Sequence, residues 1–287
     1  MNKEKLGSLI VSPIKKSKYL TPSNSRIPVK SYDFSIPEIA AKASPGQFVM
    51  MWVYDIDEKP MGIAGIDGDI VSFAVAKSGE ATSAFHNLKI GDLVGIRGPY
   101  GKSFNLKGSK IAIMGGGTGI APTKFLTEVA LKQGIEVSLF HGARTENELA
   151  YADYFKALEQ KTQNFHYHPS TDDGTFGFKG FSTQCLQDAI IKGNKFESLY
   201  TCGPELMMYF ARDIAKKENY YFEASLADRY FKCAIGLCGQ CTVDPTGQRI
   251  CIDGPVFNLD QLELIADFGK FGRDKFGRKI TLDNKSE

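Results

Sequence analysis

The chain has 287 residues, 43% of them hydrophobic, enough to build two domains or three small ones around real cores without disulfide stapling. Its 35 Lys and Arg against 33 Asp and Glu leave a formal charge of +2, which gives no electrostatic footprint for nucleic acid and argues against that class of partner. No uncharged apolar run reaches the roughly 18 residues of a membrane span, and MNKEKLGSLIVSPIKK lacks the apolar stretch of a signal peptide, so a cytoplasmic protein is expected.

From Leu6 to about Ser103 the pattern is one of short alternating or β-branched runs between turn signals: GSLIVSPI, PGQFVMMWVY, GDIVSFAVAK and GDLVGIRGPYG. Only one short helix is expected there, near His86. Such closely spaced strands predict an antiparallel barrel or sandwich over residues 1–104. The acidic run Asp55, Asp57 and Glu58 reads as a solvated loop or a partner contact.

Over 105–222 strands alternate with helices, which predicts a parallel sheet covered on both faces. SKIAIMGGGTGIAPTKFLTEVALKQG gives a buried strand, a glycine turn and a helix opened by Pro122. EVSLFHGA, FHYHP and FESLYTCG follow as strands, with helices in ENELAYADYFKALEQ, FSTQCLQDAI and ELMMYFARDIAKK. The glycine turn, with Gly116, Gly117, Thr118 and Gly119, stands between strand and helix, where backbone N–H groups and the helix dipole receive a phosphate. Tight strand–helix packing is the alternative explanation of those glycines. Cys202, Gly203 and Pro204 repeat the arrangement at the end of a later strand of the same sheet.

From Glu223 the regular pattern fades and residues 223–287 are dominated by cysteines. Cys233, Cys238 and Cys241 stand as C-x4-C-x2-C, with Cys251 nine residues further on. A reducing compartment disfavours disulfides, leaving metal chemistry. The spacing is that of plant-type [2Fe–2S] sites, and Gly236 and Gly239 allow main-chain N–H groups to turn toward the sulfurs. Four thiolates also suit structural zinc, although zinc ribbons pair two C-x2-C knuckles and only one is present. Cys185 reads as a buried apolar thiol. His86, His141, His166 and His168 have no metal-ligand spacing. The basic stretch Lys270 to Lys279 reads as a solvated tail or an acidic-partner contact.

VGIRGPYG, MGGGTGIAP, TCGPELM and CAIGLCGQC through ICIDGPVF, in that order, resemble the ferredoxin–NADP reductase superfamily, and within it the electron-transfer subunits of dihydroorotate dehydrogenase. The resemblance covers nearly the whole chain. It implies an FAD-binding antiparallel β-barrel, a parallel-sheet NAD-binding domain and a small C-terminal [2Fe–2S] lobe. It also implies that NADH gives a hydride to FAD, and that single electrons pass through the cluster to or from FMN in a separate catalytic subunit. FAD contacts then fall on Lys59, Pro60, Met61 and Gly62, where the family has R-P-x-S, and on Val75, Ala76, Lys77, Ala81 and Thr82. Lys59 lacks the arginine fork, Gly62 lacks the hydroxyl, and Ala81 replaces a glycine. The nicotinamide nucleotide falls on the two glycine turns, and the cluster on Cys233, Cys238, Cys241 and Cys251. NADH is favoured over NADPH by the resemblance, while Arg144 and Glu146 point in opposite directions. Two rival readings stay open: a related reductase subunit serving ferredoxin, sulfide or hydrogenase chemistry, and a zinc-stabilised nucleotide-binding regulator.

Overall fold

The computed structural model describes residues 8–274 and 278–281. The first part holds β1 (Ile10–Pro13), β2 (Lys16–Tyr19), β3 (Val29–Ser35), a short α1 (Pro37–Ala40), β4 (Phe48–Val53), β5 (Asp57–Asp67), β6 (Ile70–Ala76), α2 (Glu80–Asn87) and β7 (Leu93–Tyr100). They form one antiparallel sheet in the order β1-β7-β4-β5-β6-β3-β2. Strands β1 and β2 are halves of one bent segment, and they pair with opposite edges of the sheet, so the sheet curls into a barrel. Tyr32, Phe34, Ile63, Phe73, Val75 and Ile96 fill its interior, as side-chain alternation requires.

The second part holds β8 (Lys110–Gly116), α3 (Ile120–Lys132), β9 (Glu136–Ala143), α4 (Ala152–Lys161), β10 (Phe165–Thr171), β11 (Phe178–Lys179), α5 (Ser182–Ile191), β12 (Ser198–Cys202), α6 (Glu205–Glu218) and β13 (Tyr221–Ser225). Two expected helix starts shift. The helix placed at Pro122 begins at Ile120, with the proline still in the first turn, where its missing N–H is harmless. The helix expected from Glu146 begins only at Ala152, because Tyr151 takes a left-handed φ of 65° that no helix interior accommodates.

The third part holds α7 (Ile250–Asp253), β14 (Val256–Asn258), α8 (Leu259–Glu263) and a hairpin of β15 (Phe271–Arg273) and β16 (Lys279–Thr281). Thus the basic stretch from Lys270 contributes β15 and the first residue of β16; its residues 275–277 lie outside the described ones. The third part is not separate from the second. The boundary expected between 222 and 223 falls inside β13, and β14 returns to pair with it antiparallel. The resulting sheet has the order β11-β10-β9-β8-β12-β13-β14, parallel except for that last strand. One apolar cluster joins Phe48, Met50 and Tyr100 of the barrel to Met114, Met208 and Phe222 of the α/β sheet and to Phe231, Cys241, Ile250 and Cys251. The linker after the barrel is pinned as well: the Tyr200 hydroxyl accepts from Lys107 N at 2.7 Å, and Glu223 accepts from Asn105 N at 2.8 Å.

Candidate functional site

Strands β8 and β12 are neighbours, with Cys202 opposite Gly115, so the two glycine turns emerge side by side at the carboxyl edge of the sheet. β9 lies on the other side of β8, which makes this edge the topological switch point where open α/β sheets bind ligands. The turns touch. A Cβ on Gly119 would lie 2.3 Å from the Cys202 carbonyl oxygen, and one on Gly203 2.8 Å from the Gly116 carbonyl oxygen. Close packing therefore explains Gly119 and Gly203. It does not explain Gly117, which is exposed, has a φ of 53° and has open space where its Cβ would be. With exposed Thr118 it forms a 3-10 turn that leads into α3, whose N-terminal end favours an anion. The Cys202 thiol, at this ligand edge of the sheet, is 2% exposed, and burial pushes its pKa up to about 12. It belongs to the core.

Lys59, Pro60, Met61 and Gly62 lie in the extended strand β5. Lys59 Nζ lies 2.5 Å from Asp57 Oδ2, so the lysine charge is partly neutralised, and hydrogen bonding to Lys59 holds the Asp57 carboxyl below its usual range. A Cβ at Gly62 would sit 3.3 Å from Pro122 of α3. A side chain at this position would press on the neighbouring domain, which would have to give by a few tenths of an ångström. Ala76 lies half-buried at the end of β6, but its neighbours are engaged: the carbonyl of Val75 meets His86 Nε2 at 2.8 Å, and Lys77 N donates to Pro28 O. The Thr82 hydroxyl accepts from Ser78 N and Gly79 N and donates to Gly79 O, closing the turn before α2. Gly79 caps that helix without a side chain, so the N–H groups around buried Ala81 form an open helix N-terminus.

The cysteine loop wraps through three left-handed positions, Ala234 (φ 62°), Gly236 (φ 72°) and Gly239 (φ 71°). A Cβ at Gly236 would strike Ile252 at 2.5 Å, and the Gly236 carbonyl accepts from Arg249 at 2.7 Å. The four thiols fall into two pairs. Cys233 Sγ accepts from Leu237 N and Cys238 N at 3.3 and 3.4 Å and interacts with the Cys238 thiol; Cys241 Sγ accepts from Cys251 N at 3.4 Å and interacts with the Cys251 thiol. Burial raises the Cys233 pKa, but N–H donation outweighs it and the net value falls to about 7. The Cys251 thiol, together with main-chain donors, brings Cys241 down to about 6, and the same contact pushes Cys251 up. Such donors favour thiolate, the ligand form. Among the described residues, no three His, Cys, Asp or Glu side chains gather as one metal ion requires. Two thiol pairs instead fit two irons, each with two protein sulfurs, so the donor set suits a [2Fe–2S] cluster.

Two family models match. "Oxidoreductase NAD-binding domain" covers residues 113–213, and "Iron-sulfur cluster binding domain of dihydroorotate dehydrogenase B" covers 228–263. The chain is 45% identical over 236 residues to the probable dihydroorotate dehydrogenase B (NAD(+)), electron transfer subunit, of Methanocaldococcus jannaschii, covering 82% of this chain and 87% of that one. It is 40% identical to the same-named protein of Pyrococcus furiosus, again over 82% and 87%. The chain belongs to the family of dihydroorotate dehydrogenase B electron transfer subunits.

Solved structures agree on the fold of this electron transfer subunit. An NADH-dependent reduced ferredoxin–NADP oxidoreductase superposes with a TM-score of 0.77 at 24% identity, covering 91% of this chain and 95% of the other. A ferredoxin NADP+ reductase from Neisseria gonorrhoeae, solved with bound FAD and NADP, gives 0.62 at 19%, covering 74% and 92%.

Two ionic features of this family member escaped the sequence reading. Glu58, placed in a solvated acidic loop, is a strand residue that accepts both Nε and Nη2 of Arg97, at 2.5 and 2.6 Å; Asp57 is paired as described above. Arg97 stands among Val94, Ile96 and Tyr100 in VGIRGPY, and a lone charge in an apolar strand was the available signal. The second is a buried triad in which Arg229 donates to Glu205 at 3.0 and 2.6 Å and to Asp267 at 2.8 Å, while Gly269 N donates to Glu205 at 2.9 Å. It fastens the turn after Cys202 to the segment leading into Cys233.

Proposed function

We propose that this chain is the electron-transfer subunit of a dihydroorotate dehydrogenase, exchanging electrons between NAD(H) and the FMN of a separate catalytic subunit by way of FAD and a [2Fe–2S] cluster, in pyrimidine biosynthesis. The observation that carries this reading is the packing of the N–H-lined Cys241 and Cys251 pair into the same apolar core as barrel residues Phe48 and Met50 and the nucleotide strand residue Met114, with the N–H-lined Cys233 and Cys238 pair toward the surface. When bound, the flavin exchanges two electrons with nicotinamide and one at a time with the cluster.

The chain's own residues bind and align. Main-chain groups of Gly116, Gly117, Thr118 and Gly119 receive the nucleotide pyrophosphate, and Cys202, Gly203 and Pro204 bound its nicotinamide end through their backbone. Lys59 to Gly62, Val75 to Lys77, Ala81 and Thr82 hold FAD, with the open N-terminus of α2 turned to phosphate. Hydride transfer needs alignment and exclusion of water rather than a protein acid or base, which accounts for a site without a catalytic carboxylate or histidine. Cys233, Cys238, Cys241 and Cys251 ligate the cluster, and exposed Leu237 and Cys238 form the tip that meets the partner. The functional units are 1–104 for FAD, 105–222 for NAD and 223–287 for the cluster, in a cytoplasmic complex. Among the described residues, no helix is long and apolar enough to cross a membrane.

Anaerobic isolation of the native complex tests this directly. About two irons and two acid-labile sulfides per chain are expected, with FAD on this chain and FMN on a co-purifying subunit. Cys238→Ser should remove the cluster, spare NADH bleaching of FAD and stop reduction of the partner. Stoichiometric zinc in iron-replete protein, or a partner reduced at the wild-type rate by the variant, would overturn the reading.

A further inference from the structure

Arg97 bridges the strand that carries Lys59 to Gly62 and the loop that carries the first cysteine. Its Nε and Nη2 take both oxygens of Glu58, while Nη1 donates to the Tyr100 hydroxyl at 3.1 Å and to the Cys233 carbonyl at 3.2 Å. The side chain is only 17% exposed and that of Glu58 25%. Alternation along β5 puts Glu58, Pro60 and Gly62 on one face, and Gly62 on that face abuts Pro122 of the α/β part. Arg97 opposes Met50 on β4, and Met50 opposes Pro60 on β5, so the arginine, the methionine and the proline form a row across three strands. The row runs from the flavin strand to the cysteine loop.

We propose that Arg97 is a positioning residue for electron transfer, one that clamps Cys233 to the flavin-binding strand and, with Glu58, sets the charge next to the cluster. This rests on the cofactor reading above. The rigid fork of arginine reaches three elements at once, which a lysine ammonium does not. Because the pair is balanced, removing either partner leaves a net charge of opposite sign beside a group whose charge changes on reduction. The two substitutions therefore shift its potential in opposite directions. A bracket that merely held the fold together has no such sign reversal.

The test uses reconstituted holoprotein, with iron and sulfide content measured first and the cluster potential then titrated by low-temperature EPR. Arg97→Met is expected to lower the potential and Glu58→Gln to raise it, each on the order of tenfold in the oxidised-to-reduced ratio at fixed potential. Arg97→Lys keeps the charge, so it should hold the ratio near wild type while slowing cluster reduction by NADH-reduced flavin about tenfold. Should Arg97→Met fail to retain its cluster, the sign of the Glu58→Gln shift decides alone. Shifts of the same sign, or none in fully loaded variants, would overturn the inference. A wild-type protein without iron and sulfide would overturn the cofactor reading itself.

Discussion

Gly119 and the carbonyl of Cys202 are packed so closely that no side chain fits between them, a Cβ on the glycine falling 2.3 Å from that oxygen. Gly119 has a φ of −63°, which any residue adopts, so its requirement is purely steric. Gly117 is the converse case, with a left-handed φ of 53° and nothing within 4 Å of its Cβ position. The glycines of one turn are thus needed for two different reasons.

Gly119→Ala should push β12 and its turn away from β8, lowering stability by about 1–3 kcal/mol in urea unfolding and raising the KM for NADH. Gly117→Val should cost only local backbone strain of about 1–2 kcal/mol and yet raise the KM for NADH at least as much, with FAD still bound. Equal KM values for wild type and Gly117→Val would remove the turn from the nucleotide site.

By the resemblance Gly62 falls where the family motif has a hydroxyl, and a Cβ at this position would meet Pro122 at 3.3 Å. Restoring the motif with Gly62→Ser should therefore not tighten FAD. The serine Cβ has to displace Pro122 by a few tenths of an ångström, so FAD retention on dilution should fall, and Pro122→Ala in the same chain should recover it. Tighter FAD in the single variant would show that the glycine is a simple loss.

What was legible in the sequence was what is local along the chain. VSFAVA and KIAIMGG show their strand character through alternation or continuous burial, and the four cysteines announce a cluster because their spacing is itself the signal. Glu58 and Arg97 are 39 residues apart, and Arg229 is 24 and 38 residues from Glu205 and Asp267, so no local pattern along the chain links the partners. The same distance effect hid the β13–β14 pairing. A three-residue strand has too little pattern to be read, and its place is fixed by the sheet edge it completes.

The buried triad gives a stability prediction. Side chains of Arg229, Glu205 and Asp267 are 6%, 2% and 3% exposed. Arg229→Met leaves two carboxylates out of water without their cation, and breaking such a pair costs about 3–5 kcal/mol. Urea unfolding at neutral pH should show a loss of that order. A loss below about 1 kcal/mol, the range of exposed pairs, would mean that water reaches the triad.

His141 makes the pH dependence of stability testable. It is fully enclosed beneath the sheet edge, with Nδ1 3.0 Å from the Tyr167 hydroxyl, and burial pushes its pKa down to about 3. The unfolded chain takes up a proton near the ordinary histidine value of about 6.5, whereas the folded chain resists until about 3. The unfolded state therefore binds more protons throughout that window, and stability rises with pH across it. The contribution is complete above pH 6.5 and is lost as pH falls toward 3, by up to about 5 kcal/mol for a shift of this size. His86 and His168 are lowered by burial too and act with the same sign, so the slope of the whole protein is shared. His141→Gln isolates one share, since the amide still pairs with Tyr167 but does not titrate. Its urea-unfolding free energy, plotted from pH 7 to pH 4, should fall less steeply than wild type. Parallel curves would show that His141 takes up its proton alike in the folded and unfolded chain, so that burial does not lower its pKa.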